Sequence, residues 1–158
     1  MTGRLDTGDC RDLRSRDITR DLILAPILVQ VLLTLATYVL LIKAKIRAMK
    51  AGEVDMARRA LFDDAWPESV MKINNNIRNQ FEVPMLFYVL AFALWALEAV
   101  NTLTLAAAWL FAVSRIVHAW IHIGTNYVPN RRRAFTVGWW IVLAMALLVV
   151  WELGKRVT

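Results

Sequence analysis

The chain has 158 residues, 58% of them hydrophobic and 20% charged, with a mean hydropathy of +0.46 and a net charge of +6. That is too apolar for an ordinary soluble domain of this size, and an integral membrane protein is the leading class. The single cysteine, Cys10, cannot form an intrachain disulfide and fits no metal-ligand spacing, while the surplus positive charge is explained by membrane topology without any nucleic-acid partner.

Residues 1–20 alternate Arg and Asp without an apolar face and read as a polar tail ahead of a membrane domain over 21–158. Four apolar runs, at 22–42, 81–100, 103–123 and 134–153, are long enough to cross a bilayer as helices, for which about 20 residues suffice. The fold class is therefore all-α, an integral membrane four-helix bundle. The first run is too long, and too punctuated by Pro and Thr, for a signal peptide; no small-residue cleavage site follows it. Asp21 is a candidate N-cap for this span, and Pro26 falls in an early turn where a missing N–H is tolerated. Gln30, Thr34 and Tyr38 recur at i, i+4 and i+8, either as a polar stripe facing other helices or as hydroxyls bonded back onto their own helix.

The loop after span one carries Lys43, Lys45, Arg47, Lys50, Arg58, Arg59, Lys72 and Arg78, and the loop before span four carries Arg131, Arg132 and Arg133. By the positive-inside rule both loops face the cytoplasm. Gly52 is a stop signal for an extension of span one, and a short interfacial helix is expected over 54–62.

The stretch NNNIRNQFEVPMLF, residues 74–87, takes a carboxylate, Glu82, into an apolar run. An ionisable group there is a functional candidate by default. On a continuous helix Arg78 stands at i, i+4 and Asn79 at i, i+3 from Glu82, so the three share a face, either as an internal clamp or as a binding site. Pro84 removes one helical hydrogen bond, so a kink is expected around Gln80. Only Asn101 and Thr102 separate spans two and three, which makes these an antiparallel hairpin with Glu98 solvated near its turn.

Span three holds SRIVHAWIHI, in which Arg115, His118 and His122 fall on one helix face. Histidines in membrane helices commonly serve as hydrogen-bonded packing residues, but an arginine beside them has no such inexpensive explanation. The His pair lacks an adjacent Glu and a third ligand, so no metal is assigned. At a rise of about 1.5 Å per residue, His118 lies roughly 7 Å and Arg115 roughly 12 Å from the end of span three. Charged residues of three helices thus converge in one leaflet. Such a cationic chamber suits an enzyme joining an anionic water-soluble molecule to a lipidic one, or an anion-binding module without chemistry. A transporter fits less well, because the charges cluster at one face instead of lining a through path.

In these residues the chain resembles the MAPEG family, membrane-associated proteins in eicosanoid and glutathione metabolism. The resemblance runs over residues 22–153 and rests on the NQFE-x-P-x-LFY pattern at 79–88 and SR-x-x-H at 114–118, and is nearest in character to bacterial members. It implies a homotrimer in a lipid bilayer, in the cytoplasmic (inner) membrane if the source is bacterial, with glutathione held between subunits. The implied activity is a glutathione-dependent transferase or peroxidase acting on lipophilic electrophiles or hydroperoxides; the alternative is a non-catalytic trimeric protein that binds a lipid or an anion. The resemblance assigns Arg78, Asn79, Glu82, Arg115, His118 and His122 to glutathione binding, with Glu82 receiving the amino group, and Arg131 to stabilising the thiolate. Three positions depart from the pattern: Asn75 stands where an arginine is common, His122 where a tyrosine is common, and Phe135 replaces a tyrosine.

Overall fold

A computed structural model describes residues 19–157; Cys10 and nearly all of the polar tail lie outside the described residues. The elements are α1 (Leu24–Lys50), a 3-10 turn (Asp63–Ala65), α2 (Glu68–Gln80), α3 (Val83–Ala96), α4 (Thr102–Ile123) and α5 (Val128–Val157). Three helical stretches, Thr19–Lys50, Thr102–Ile123 and Val128–Val157, are long and apolar enough to cross a membrane. The run expected as span two is divided, and only its second piece, α3, is apolar throughout. Helix α3 alone, at about 1.5 Å per residue, spans roughly 21 Å, short of a hydrocarbon core of about 30 Å. The polar helix α2 leads into it.

Pro84 explains the division. It lacks an N–H to offer the carbonyl of Gln80, so α2 ends there and α3 starts afresh after Glu82, with Pro84 in its first turn. The predicted kink is therefore a full break, located at Phe81 and Glu82.

Helix α4 is the central element: 44% of its apolar window is buried within the subunit, against 28% and 22% for the other two long spans. Its most extensive pairing is with α5. Two apolar cores result. One joins Ile27, Phe87, Ala91, Leu94, Ala108, Phe111, Val142 and Met145, with the Phe87 and Phe111 rings stacked at 4.3 Å. The other fixes α2 against the basic end of α1 through Leu41, Ala48, Val54, Val70, Ile73 and Ile77. Gly138 lets α5 approach α4, since a Cβ there would meet Ser114 Oγ at 3.1 Å and Arg115 Cδ at 3.7 Å. Leu28, Leu32, Leu35, Leu110, Val150 and Trp151 point outward, as expected of surface bathed in hydrocarbon or covered by other copies.

Several local expectations are corrected. Asp21 does not cap α1, whose N-cap is Ile23; its carboxylate accepts from the Trp95 indole N–H at 3.0 Å. No helix forms over 54–62. Asp55 diverts that backbone into turns by accepting from the N–H groups of Ala57 and Arg58 through its side chain, and from Arg58 and Arg59 through its carbonyl. The hairpin between α3 and α4 has a connection over 97–101, closed by a capping box between Asn101 and Thr104. Glu98 is largely exposed, as expected, with Arg20 3.8 Å away. Pro129 and Arg131–Arg133 lie inside the first turns of α5 instead of in a preceding loop.

Candidate polar site at the basic ends of the helices

The break after α2 decides the geometry of the first cluster. A continuous helix would have set Arg78 beside Glu82, but the chain turns between them and the predicted internal clamp does not form. Arg78 instead donates to Asp63 of the preceding loop. The Glu82 side chain is exposed, as are the neighbouring Phe81, Met85 and Leu86; it makes no hydrogen bond or ion pair among the described residues, although the Arg115 guanidinium is near enough to act on it electrostatically. The Asn79 amide is bonded back to the carbonyl of Asn75 at 2.9 Å.

The other face of α2 is turned inward. Asn76 and Gln80 are buried with Val70, Ile73 and Ile77, and Gln80 Oε1 accepts from Gln30 Nε2 on α1 at 2.7 Å. The polar stripe on α1 predicts a facing helix for Gln30 but does not name Gln80 as its partner. The signal was available, because Val70, Ile73, Ile77 and Gln80 share one face of α2 at helical spacing. The Thr34 hydroxyl on that stripe bonds back to the Gln30 carbonyl at 3.1 Å, while Tyr38 packs edge-on to Phe81 at 6.4 Å.

Arg115, His118 and His122 are all buried on one face of α4, as the spacing predicts. The Arg115 guanidinium donates to the backbone carbonyl of Asn79 at 2.9 Å. That carbonyl belongs to the last turn of α2, where no intrahelical donor is left, and a cation at a helix C-terminus also complements the helix dipole. The same device recurs at the opposite end of the bundle: Arg20 donates to the Trp95 carbonyl at 3.0 Å and Arg156 donates to the Leu97 carbonyl, both at the end of α3.

His118 and His122 pack edge-on with ring centroids 5.6 Å apart, and Phe135 of α5 lies 5.9 Å from His118. Arg131 reaches this pair: it donates to Asn126 Oδ1 at 2.7 Å and stands 3.4 Å from His122 Nε2. Asn126 holds a left-handed φ of 52°, which Asn tolerates better than most residues. Arg132 and Arg133 are exposed, so Arg131 alone of the three is turned toward the cluster. Within it, Arg115 Nε and Nη1, His118 Nδ1 and His122 Nδ1 make no hydrogen bond among the described residues, and neither does either polar atom of the buried Asn76 amide on α2. Buried polar groups normally find partners, so these atoms remain to be matched by a ligand or solvent. Among the described residues, no third His, Cys, Asp or Glu joins the two histidines in a metal-like group.

The predicted residues therefore divide between two surfaces. Arg115, His118, His122 and Arg131 converge inside one subunit between α4 and α5, with the Asn79 carbonyl drawn onto them. Arg78 and Glu82 face outward, on either side of the helix break. Fold and site together define a polytopic helical membrane protein with a cationic polar cluster at one end of its bundle. The chain belongs to the MAPEG family, whose family model matches residues 23–151. No match was found among curated proteins or among solved structures.

Proposed function

We propose that the chain is the subunit of a glutathione-dependent membrane enzyme that conjugates lipophilic electrophiles or reduces lipid hydroperoxides, with the site completed between copies in a homotrimer. The observation that carries this reading is the outward-facing Glu82. A carboxylate that has no hydrogen-bonded partner and feels the Arg115 charge only at longer range, on a surface with Phe81, Met85 and Leu86, is costly to cover with hydrocarbon, and an ammonium group arriving from outside the chain reduces that cost. The amino group of glutathione has the required charge. Arg78 and Asn79 on the same segment are suited to the peptide's carboxylates, and Arg115, His118 and His122 supply the inner wall.

Arg131 carries the chemical part of the proposal. A thiol of pKa about 8.5 is only about 3% ionised at pH 7, and each unit by which a nearby cation lowers it corresponds to about 1.4 kcal/mol. A half-buried arginine is more effective in this than one lying in water, and Arg131 is half-buried where Arg132 and Arg133 are exposed. In the transferase reaction the thiolate sulfur forms a bond to the electrophilic carbon and the leaving group departs with its electron pair. In the peroxidase reaction two glutathione molecules are oxidised to the disulfide while the hydroperoxide is reduced to alcohol and water.

A second reading, a trimeric lipid- or anion-binding protein without turnover, is favoured by one specific observation. Phe135 presents an apolar ring to His118 at 5.9 Å, where the family resemblance leads one to expect a phenol. Calorimetric titration of the detergent-solubilised protein with glutathione, followed by turnover assays with a model electrophile and a lipid hydroperoxide, tests the first reading. Binding without turnover of either substrate favours the second.

A further inference from the structure

We propose that Asp63 is an internal carboxylate that competes with the ligand for Arg78, so that the loop after α1 sets both affinity and selectivity at the cationic edge of the site. This rests on the glutathione reading above. Both oxygens of Asp63 are engaged by α2: Oδ1 accepts from Asn74 Nδ2 at 3.3 Å, and Oδ2 accepts from Arg78. Asn74 and Arg78 are one helical turn apart and share a face, so together they form a two-point receptor for a carboxylate. They line a polar cavity of about 270 Å³ together with Lys45, Trp66 and Asn75. The Lys45 ammonium lies 4.7 Å from the centre of the Trp66 ring, which adds a second positive charge to the same space. The cavity is thus organised around an anion, and in the free subunit that anion belongs to the chain itself.

Two features make the contact exchangeable. Arg78 and Asp63 side chains are 61% and 51% exposed, so water can take over from either as the pair opens. The loop does not depend on the pair either: the neighbouring Asp64 is held by Arg58 through both oxygens, at 3.0 and 2.8 Å, and the Asp55 N–H bonds the Ala65 carbonyl at 3.1 Å. Asp63 can therefore release Arg78 while the turn stays anchored. A ligand with a free carboxylate replaces what Asp63 provided, whereas one whose carboxylates are blocked leaves Arg78 with its internal partner.

The test uses the full-length protein in detergent, with calorimetric titration of glutathione and of glutathione diethyl ester. Asp63→Asn should tighten glutathione binding about two- to fivefold, the range expected of an exposed ion pair. Asp64→Asn removes the same charge beside the same turn and should not. The gain should vanish with the diester and in an Arg78→Ala background, and Asp63→Ser should reproduce it. Equal or weaker binding by Asp63→Asn, or an equal gain from Asp64→Asn, overturns the competition while leaving the glutathione reading standing. Failure of both wild type and Asp63→Asn to bind glutathione overturns that reading, and this inference with it.

Discussion

The guanidinium of Arg115, buried in the middle of α4, donates to the backbone carbonyl of Asn79 on α2 across 2.9 Å. This contact joins the central helix to the broken one at the point where Pro84 has ended regular hydrogen bonding. A residue that looks purely chemical in the sequence thus has a structural task too, and its two uncommitted nitrogens, Nε and Nη1, are what remain for a ligand.

Arg115→Ala should therefore cost stability before it costs anything else. A hydrogen bond to a charged group contributes about 1.5–3 kcal/mol, and its loss also leaves the Asn79 carbonyl without a donor. The expected result is a lower melting temperature in detergent, partly restored by Arg115→Lys, which returns the charge but not the planar fork.

Gly138→Ala should separate α4 from α5 slightly, because the added methyl meets Ser114 Oγ at 3.1 Å. Overpacking of this kind typically costs about 1–3 kcal/mol. The double variant with Ser114→Gly should recover much of the loss. Thermal melts of the two single variants and the double variant check this, since additive losses would place the strain elsewhere.

Glu82→Gln separates a binding role from a structural one. The side chain makes no hydrogen bond or ion pair among the described residues and feels Arg115 only at longer range, so melting without ligand should change little. Stabilisation by added glutathione should disappear, because an amide fills the space but does not pair with an ammonium group. A large drop in ligand-free stability would return Glu82 to a clamp role, made across a subunit boundary.

The basic loops predict the orientation, and the family resemblance predicts the proposed assembly. A reporter inserted near Gly52 should be cytoplasmic and one fused after Thr158 should not, and cross-linking in mild detergent should stop at a trimer. A clean monomer would remove the shared chamber on which the proposed site depends.

Much of the fold was legible because hydrophobic run length and helix spacing are local properties. The runs at 103–123 and 134–153 became α4 and the body of α5, and the i, i+3, i+7 spacing of Arg115, His118 and His122 did bury all three together. What was not legible depended on where a helix stops. Arg78 and Glu82 are four apart in sequence, but the break at Phe81 cancels that relation and hands Arg78 to Asp63, 15 residues away. Gln30 and Gln80 meet across 50 positions, a pairing that periodicity on either helix narrows to a face but does not identify. The apolar run at 81–100 yields a helix only over Val83–Ala96, because Pro84 fixes its start and the turn ahead of Asn101 ends it, neither of which hydropathy alone locates.

The proposed activation of a thiol by Arg131 is read most directly from the ultraviolet absorbance of the thiolate when glutathione is added to the detergent-solubilised protein, followed through a pH titration. A nearby cation lowers the thiol pKa, so the thiolate should appear at a lower pH than in free glutathione, with about half of it ionised near pH 7 if the shift is about 1.5 units. Arg131→Ala should move the titration back up with binding largely retained, and Arg133→Ala should leave it in place. A wild-type trimer that binds glutathione yet keeps its thiol fully protonated at pH 7 would contradict the enzymatic account and leave the binding protein in its place.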